Sequence, residues 1–185
     1  MLKRKLTHDE VKRALKGSYD KYPQDMGDLK VDKSLSGQRV KVYTKGDQVI
    51  VSHRGTKSAK DIFNDAAYGM GMLKYTKRYK HSERIQREAE KKYEGKQITT
   101  VGHSLGGALA ERVAKRGERV ITFNKADTSL FNSAKRKNQV DLKTEYDVVG
   151  FNSYRKKILR TGEKNLLKAH QLTQLDHPKF KKNEY

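Results

Sequence analysis

The sequence contains no cysteine and only two prolines among its 185 residues. The lack of cysteine excludes disulfides, cysteine-ligated metal sites and a cysteine nucleophile. No internal repeat and no Pro/Ser-rich linker interrupts the chain. Its length therefore predicts one domain, 1–185, with room for a sizeable core.

Apolar residues are also scarce, at 34% of the chain, and no apolar run approaches the ~20 residues needed to cross a bilayer. The first ten residues lack the apolar core of a secretory signal. We therefore expect a protein of the cytoplasm, or one packaged in a virion, that meets any membrane only from its surface.

Acidic residues are outnumbered, with 22 Asp and Glu against 42 Lys and Arg, which gives a net charge of +20. The excess is spread along the chain, apart from a neutral block at 46–71, and it continues into a basic tail at 178–185. A cationic surface favours polyanions, either anionic lipid headgroups or nucleic acid. The same excess can also serve solubility alone.

Hydrophobic patterning predicts the order of the elements. Segment 1–38 begins with a helix at the capping box of Thr7 and Glu10 and continues as a loop. A hairpin and an alternation of helices and strands follow: strands 39–44 and 48–52, helix 73–93, strand 97–101, helix 105–115, and strands 120–123 and 140–146. This alternation predicts an α/β fold, a mostly parallel sheet covered by helices.

A G-x-S-x-G motif centred on Ser104 stands between a β-branched run and a run that favours helix. This is the strand–turn–helix setting of a nucleophile elbow. Gly102 and Gly106 keep the tight turn free of side chains. Ser104 is the predicted nucleophile, and the N–H of Leu105 would face a developing oxyanion. His103 is not expected to be the base, because neighbours in such a turn point apart. It is expected to pack against the turn or to support it.

The order nucleophile, acid, histidine along the chain limits the partners of Ser104. Only His170 and His177 lie late enough to be the base, and leucines around His170 favour it. The acid should follow the second strand after the elbow, where Asp147 is the first carboxylate. The alternatives for the acid are Glu145, Asp141 and Asp127.

Two further segments belong to the predicted site. Thr56, after the second hairpin strand, can offer a backbone N–H and a hydroxyl to the oxyanion, and Gly55 allows a close approach. Residues 66–73 combine glycines with Met70 and Met72. They are predicted to form a lid or acyl-chain wall, with a plain helix–loop–helix corner as the alternative.

Together these motifs resemble the class 3, or fungal-type, lipase family over about residues 40–175. The matching segments are Arg54-Gly55-Thr56, Asp61 and Asp65, Gly102 to Gly107, Val120 to Asn124, Tyr146 to Val149, and Ala169 to Leu172. The resemblance implies an α/β-hydrolase fold and a triad of Ser104, Asp147 and His170. It also implies that Thr56 is an oxyanion donor and that Asp61 and Asp65 support its loop.

Some positions depart from that family. His53 stands where a phenylalanine is usual, and Ile62 stands where an aromatic residue is frequent. The chain is also short, basic and free of tryptophan. In this it resembles the compact versions of the family encoded by some large DNA viruses more than the secreted fungal enzymes. These departures leave the substrate open.

The predicted function is that of a serine ester hydrolase, a lipase or phospholipase acting on acylglycerols or phospholipids through an acyl-enzyme. No metal or cofactor is expected, and an anionic membrane is the expected partner. A thioesterase or acyltransferase with the same triad remains an alternative. So does a basic nucleic-acid-binding protein on an inactive hydrolase scaffold.

Overall fold

The computed structural model describes residues 4–56, 76–126, 136–147 and 156–185. Within these ranges, seven strands form one sheet in which each strand lies beside its neighbours in sequence. They are β1 (Lys30–Val31), β2 (Val40–Lys45), β3 (Gln48–His53), β4 (Gln97–His103), β5 (Arg119–Phe123), β6 (Gln139–Thr144) and β7 (Lys156–Leu159). The first three strands pair antiparallel, and β3 to β7 are parallel. The predicted mostly parallel sheet is confirmed.

Helices connect and cover these strands. They are α1 (His8–Gly17), α2 (Lys77–Lys92), α3 (Leu105–Val113) and α4 (Leu166–His170), with 3-10 turns at Leu172–Asp176 and Pro178–Phe180. α1 begins at the predicted capping box, in which Thr7 and Glu10 bond each other's backbone N–H groups. The hairpin is also confirmed, with Gly46 at φ 56° in its two-residue turn.

Two strands were absent from the prediction. β1 lies in the segment predicted as loop, and its two residues pair with the end of β2. β7 pairs with β6 at the other edge of the sheet. Its sequence, Lys-Lys-Ile-Leu, buries Leu159 and leaves Ile158 41% exposed. Neither strand is long enough or apolar enough to give a clear period-two pattern.

The sheet buries both of its faces against helices. Ile50 of β3 packs in the same cluster as Val11 and Leu15 of α1. Its neighbours Val49 and Val51 point the other way, in the cluster with Ile85 of α2. This alternation follows from the period of a strand, in which successive side chains point to opposite faces.

The predicted basic tail, 178–185, packs beside the start of the chain. Phe180 and Tyr185 are buried. The backbones of Tyr185 and Leu6 exchange two hydrogen bonds of 2.9 and 3.0 Å. The lysines between Phe180 and Tyr185 are exposed, so the segment adds apolar contacts to the core and positive charge to the surface.

The carboxyl ends of the parallel strands define one edge of the sheet. Ser104 follows β4 directly, and Asp147 comes three residues after the end of β6. In open α/β sheets ligands bind at this edge. The predicted lid with Met70 and Met72 lies outside the described residues, as do Asp61, Asp65 and the alternative acid Asp127.

Candidate active site

Ser104 lies in the turn between β4 and α3, with a backbone φ of 55° and ψ of −128°. A residue with a Cβ adopts this conformation only under strain. The turn is fixed by its hydrogen bonds, because the N–H of Ser104 donates to the carbonyl of Phe123 at 3.1 Å and its carbonyl accepts from Gly107 at 2.9 Å. The side chain is buried, and its Oγ has no hydrogen-bond partner among the described residues.

The glycines around Ser104 are required for space. A Cβ at Gly102 would lie 2.1 Å from the carbonyl oxygen of Gly106. A Cβ at Gly106 would lie 2.1 Å from the carbonyl oxygen of His53. Because these neighbours are backbone atoms, no side-chain rotation could relieve the clash. The two glycines therefore let the first turn of α3 lie directly against the ends of β3 and β4.

His170, the last residue of α4, meets Asp147 in the buried interior. Its Nδ1–H donates to Asp147 Oδ1 at 2.7 Å, and the two side chains are 4% and 0% exposed. A buried carboxylate in this position fixes the ring orientation and selects the neutral tautomer whose proton is on Nδ1. No described residue forms a hydrogen bond to that Nε2. The geometry gives the histidine one occupied nitrogen and one that is free to accept a proton.

The alternative acids and base that lie in the described residues are engaged elsewhere. Glu145 is exposed and accepts the backbone N–H of Gly162 at 2.7 Å. Asp141 is buried and accepts the hydroxyl of Thr122 at 2.6 Å. His177 is partly exposed, and its Nδ1 accepts a backbone N–H at 3.4 Å. Among the described candidates, only the pair of Asp147 and His170 forms a carboxylate–histidine contact.

The predicted oxyanion loop lies against Ser104. A Cβ at Gly55 would come within 3.2 Å of Ser104 Cβ, so the backbone next to Thr56 passes directly over the serine. The Oγ1 of Thr56 is buried and has no partner among the described residues. Leu105 is the first residue of α3, and its N–H therefore has no acceptor within the helix. Gly55, next to Thr56, and the first residue of α3 thus both lie beside Ser104.

Tyr19 was absent from the sequence prediction of the site. Its hydroxyl accepts the backbone N–H of Gly55 at 3.1 Å and lies 2.7 Å from His103 Nδ1. The other ring nitrogen of His103 lies 2.9 Å from the carbonyl oxygen of His170. Burial lowers the pKa of His103 to about 3 and raises the pKa of Tyr19 to about 12, so both groups are neutral near pH 7.

A second unpredicted group holds the backbone before His170. Asn124 Nδ2 and Thr144 Oγ1 both donate to the carbonyl of Ala169, at 2.9 and 2.7 Å. Asn124 Oδ1 also accepts the backbone N–H of Thr144 at 2.9 Å. Asn124 has a φ of 43°, which asparagine tolerates better than most residues. An asparagine directly after a strand is the one local signal that marked this position.

Neither a metal cluster nor a membrane span occurs in the described ranges. No group of three or more His, Asp or Glu side chains there is arranged to hold a metal ion. No helix in those parts of the chain is long and apolar enough to cross a bilayer.

The sheet, its helices and the turn at Ser104 define an α/β-hydrolase fold of the lipase type. A triacylglycerol lipase described by its serine-protease-like triad superposes with a TM-score of 0.54 and 16% identity, over 79% of this chain and 75% of that one. The lipase of Rhizomucor miehei in its propeptide complex gives a TM-score of 0.52 and 17% identity, over 79% of this chain and 64% of that one. A triacylglycerol lipase from Penicillium expansum gives a TM-score of 0.51 and 16% identity, over 82% and 79%.

At these identities the likeness establishes the fold alone. Residues 7–157 match the model of the Tle-like phospholipase domain, a phospholipase-like family. The chain therefore belongs to the Tle-like phospholipase family. No curated protein is significantly similar to it in sequence.

Proposed function

We propose that the protein is a serine ester hydrolase that cleaves acyl ester bonds of lipids, with phospholipids as the favoured class. Ser104 is the nucleophile, His170 the base, and Asp147 the acid that orients it. The observation that carries the proposal is the buried contact of 2.7 Å between His170 Nδ1 and Asp147 Oδ1. Membership of a phospholipase-like family supports the choice of substrate.

The chemistry follows from the proton positions. Ser104 Oγ attacks the ester carbonyl while its proton moves to His170 Nε2, the ring nitrogen that has no other partner among the described residues. Asp147 stabilises the imidazolium that forms. The N–H of Leu105 and the donors of Thr56 stabilise the negative oxygen. His170 then protonates the leaving alcohol. Water attacks the acyl-enzyme while His170 takes a proton from it, and His170 returns that proton to Ser104 Oγ as the acid product leaves. No metal or cofactor takes part in this scheme.

Substitutions at matched positions test these roles. We expect Ser104→Ala and His170→Ala to lower kcat on a soluble short-chain nitrophenyl ester by three or more orders of magnitude. His177→Ala and Glu145→Gln, which change the alternative base and acid, should leave it nearly unchanged. A His177→Ala loss equal to that of His170→Ala would overturn the assignment of the base.

A fluorophosphonate probe tests the nucleophile without a choice of substrate. Peptide mass analysis should place the label on Ser104 in the native protein and find none in Ser104→Ala. Turnover of thioesters in preference to oxoesters, or transfer to an added alcohol, would favour the thioesterase or acyltransferase alternative. A protein that hydrolyses nothing and takes no label would favour the nucleic-acid-binding alternative.

The surface around the site supports contact with an anionic membrane. Leu166 and Leu167, in the helix that ends at His170, are 46% and 43% exposed, and Tyr146, next to Asp147, is 40% exposed. Lys164 and Lys168 are exposed beside these leucines. Apolar side chains flanked by lysines suit a bilayer surface that carries negative headgroups, where each lysine contributes about 1 kcal/mol.

Vesicles of phosphatidylcholine with and without phosphatidylglycerol test this contact. The double variant Lys164→Gln/Lys168→Gln should bind the anionic vesicles about 30-fold more weakly, because two lysines contribute about 2 kcal/mol. Lys30→Gln/Lys33→Gln removes the same charge near β1, at the edge of the sheet opposite β7, and should have little effect. Equal losses from both double variants would refute a localised surface.

A further inference from the structure

A chain of three hydrogen bonds runs beneath the candidate site. It connects the N–H of Gly55 to the hydroxyl of Tyr19 (3.1 Å), that hydroxyl to His103 Nδ1 (2.7 Å), and His103 Nε2 to the carbonyl oxygen of His170 (2.9 Å). Tyr19 precedes β1, His103 ends β4 and His170 ends α4. Together with Gly55, which follows β3, the chain therefore joins four segments that are distant in sequence.

Only one arrangement of the protons satisfies all three hydrogen bonds of this chain. A backbone N–H can only donate, so the Tyr19 oxygen accepts from Gly55 and the single hydroxyl proton is left for His103 Nδ1. A neutral imidazole that accepts at Nδ1 carries its proton on Nε2. That proton then points at the carbonyl oxygen of His170, which can only accept. Each of the four groups therefore sets the role of the next.

Packing keeps the four segments in contact. The His103 ring lies 4.9 Å from the His170 ring and stacks on Phe123 at 5.6 Å. A Cβ at Gly55 would lie 2.5 Å from Tyr19 Oη and 2.6 Å from the carbonyl oxygen of His103. The oxyanion loop thus rests directly on the tyrosine and on the backbone before Ser104. A shift of either residue would move that loop.

We propose that Tyr19 and His103 are positioning residues that hold the oxyanion loop and the base in one fixed arrangement around Ser104. The inference rests on the proposed function, in which Thr56, next to Gly55, donates to the oxyanion and His170 takes the proton. Displacing a catalytic group by about 1 Å can cost about a hundredfold in rate. In this proposal both residues act through the groups that contact the substrate, and neither of them touches the reacting atoms.

Tyr19→Phe tests the role of the hydroxyl while keeping the ring. On a soluble short-chain ester, we expect kcat to fall about ten- to a hundredfold with KM changed less than about twofold, because the lost contacts matter in the transition state. Tyr43→Phe is the matched control, since Tyr43 is a buried tyrosine whose hydroxyl has no partner among the described residues. A wild-type kcat in Tyr19→Phe would overturn the proposal.

A double-mutant cycle separates one connected unit from two local effects. The combination Tyr19→Phe/His103→Phe should lose no more activity than the more impaired single variant, because the second change removes a chain that is already broken. Multiplied losses in the double variant would mean that the two residues act independently, and would refute the coupling.

Nitrogen-15 NMR of the histidine rings tests the chain without any catalysis. His103 should carry its proton on Nε2 from pH 8 to pH 5 in the native protein, because the carbonyl of His170 accepts it. Tyr19→Phe removes the donor to Nδ1 and should shift the Nδ1 resonance while the proton stays on Nε2. A native His103 with its proton on Nδ1, or one that titrates near pH 6.5, would overturn the proposed chain. An inactive native protein with the expected tautomer would instead refute the proposed hydrolase and with it the catalytic role of the chain.

Discussion

Acidification to pH 5 should destabilise this protein strongly, because its fold buries neutral histidines. His53 and His103 are 0% and 5% exposed. Burial lowers the pKa of His53 to about 4 and that of His103 to about 3, from 6.5 for an exposed histidine. As the pH falls below 6.5, the unfolded chain binds a proton at each position and the folded chain does not. The stability present above pH 6.5 is therefore lost progressively down to the folded pKa values.

The size of the loss follows from the pH interval. At pH 5 the medium is 1.5 pH units below the unfolded pKa, and each unit costs about 1.4 kcal/mol per group. Each histidine thus loses about 2 kcal/mol, and the two together about 4 kcal/mol, relative to pH 8. Typical domains have only about 5–15 kcal/mol of stability, so the loss should be large in proportion.

Urea unfolding followed by circular dichroism at pH 8 and pH 5 measures this difference. His53→Phe introduces the residue that is usual at this position in class 3 lipases, and it should recover about 2 kcal/mol at pH 5. His177→Gln, which changes a partly exposed histidine, is the control. Equal free energies of unfolding at both pH values, or a His53 that titrates near pH 6.5, would refute the reasoning.

Two further substitutions test the packing around Ser104 and His170. Gly106→Ala places a Cβ 2.1 Å from a backbone oxygen and should cost at least about 3 kcal/mol in urea unfolding. Gly46→Ala, at φ 56° in open space, should cost only about 1–2 kcal/mol, and equal losses would contradict the steric argument. Asn124→Ala removes a bond of 2.9 Å to the Ala169 carbonyl and takes away the acceptor of the buried N–H of Thr144. It should cost about 1–3 kcal/mol and lower kcat, and unchanged stability would count against the role of Asn124.

Local signals in the sequence were sufficient for the elbow and for much of the sheet. The motif at Ser104 is contiguous, and its flanking runs define a strand and a helix by themselves. Asp147 and His170 are not contiguous, and they were predicted from their order after the elbow. The structure brings these two together, and their catalytic roles remain predictions.

Other features depend on contacts that no local pattern encodes. Tyr19 lies in a segment rich in Gly, Asp and Ser, 84 positions before His103, and a lone tyrosine in such a loop has no periodicity. β7 is an edge strand with two lysines, so only its pairing with β6 makes it extended. β1 has two residues and depends likewise on its partner strand. Tertiary contacts decide these cases, as is usual for short strands.

The sequential order of the strands also sets an order in time. During synthesis the N-terminal part of a domain emerges first, and each new strand of this sheet adds beside the previous one. The turn at Ser104 is complete once β5 and α3 are in place, whereas Asp147 waits for β6 and His170 for the segment after β7. A nascent chain would therefore carry a formed turn at Ser104 without its proposed partners until the segment after β7 packs into place. Under the proposed mechanism, hydrolysis begins only after the whole sheet has formed.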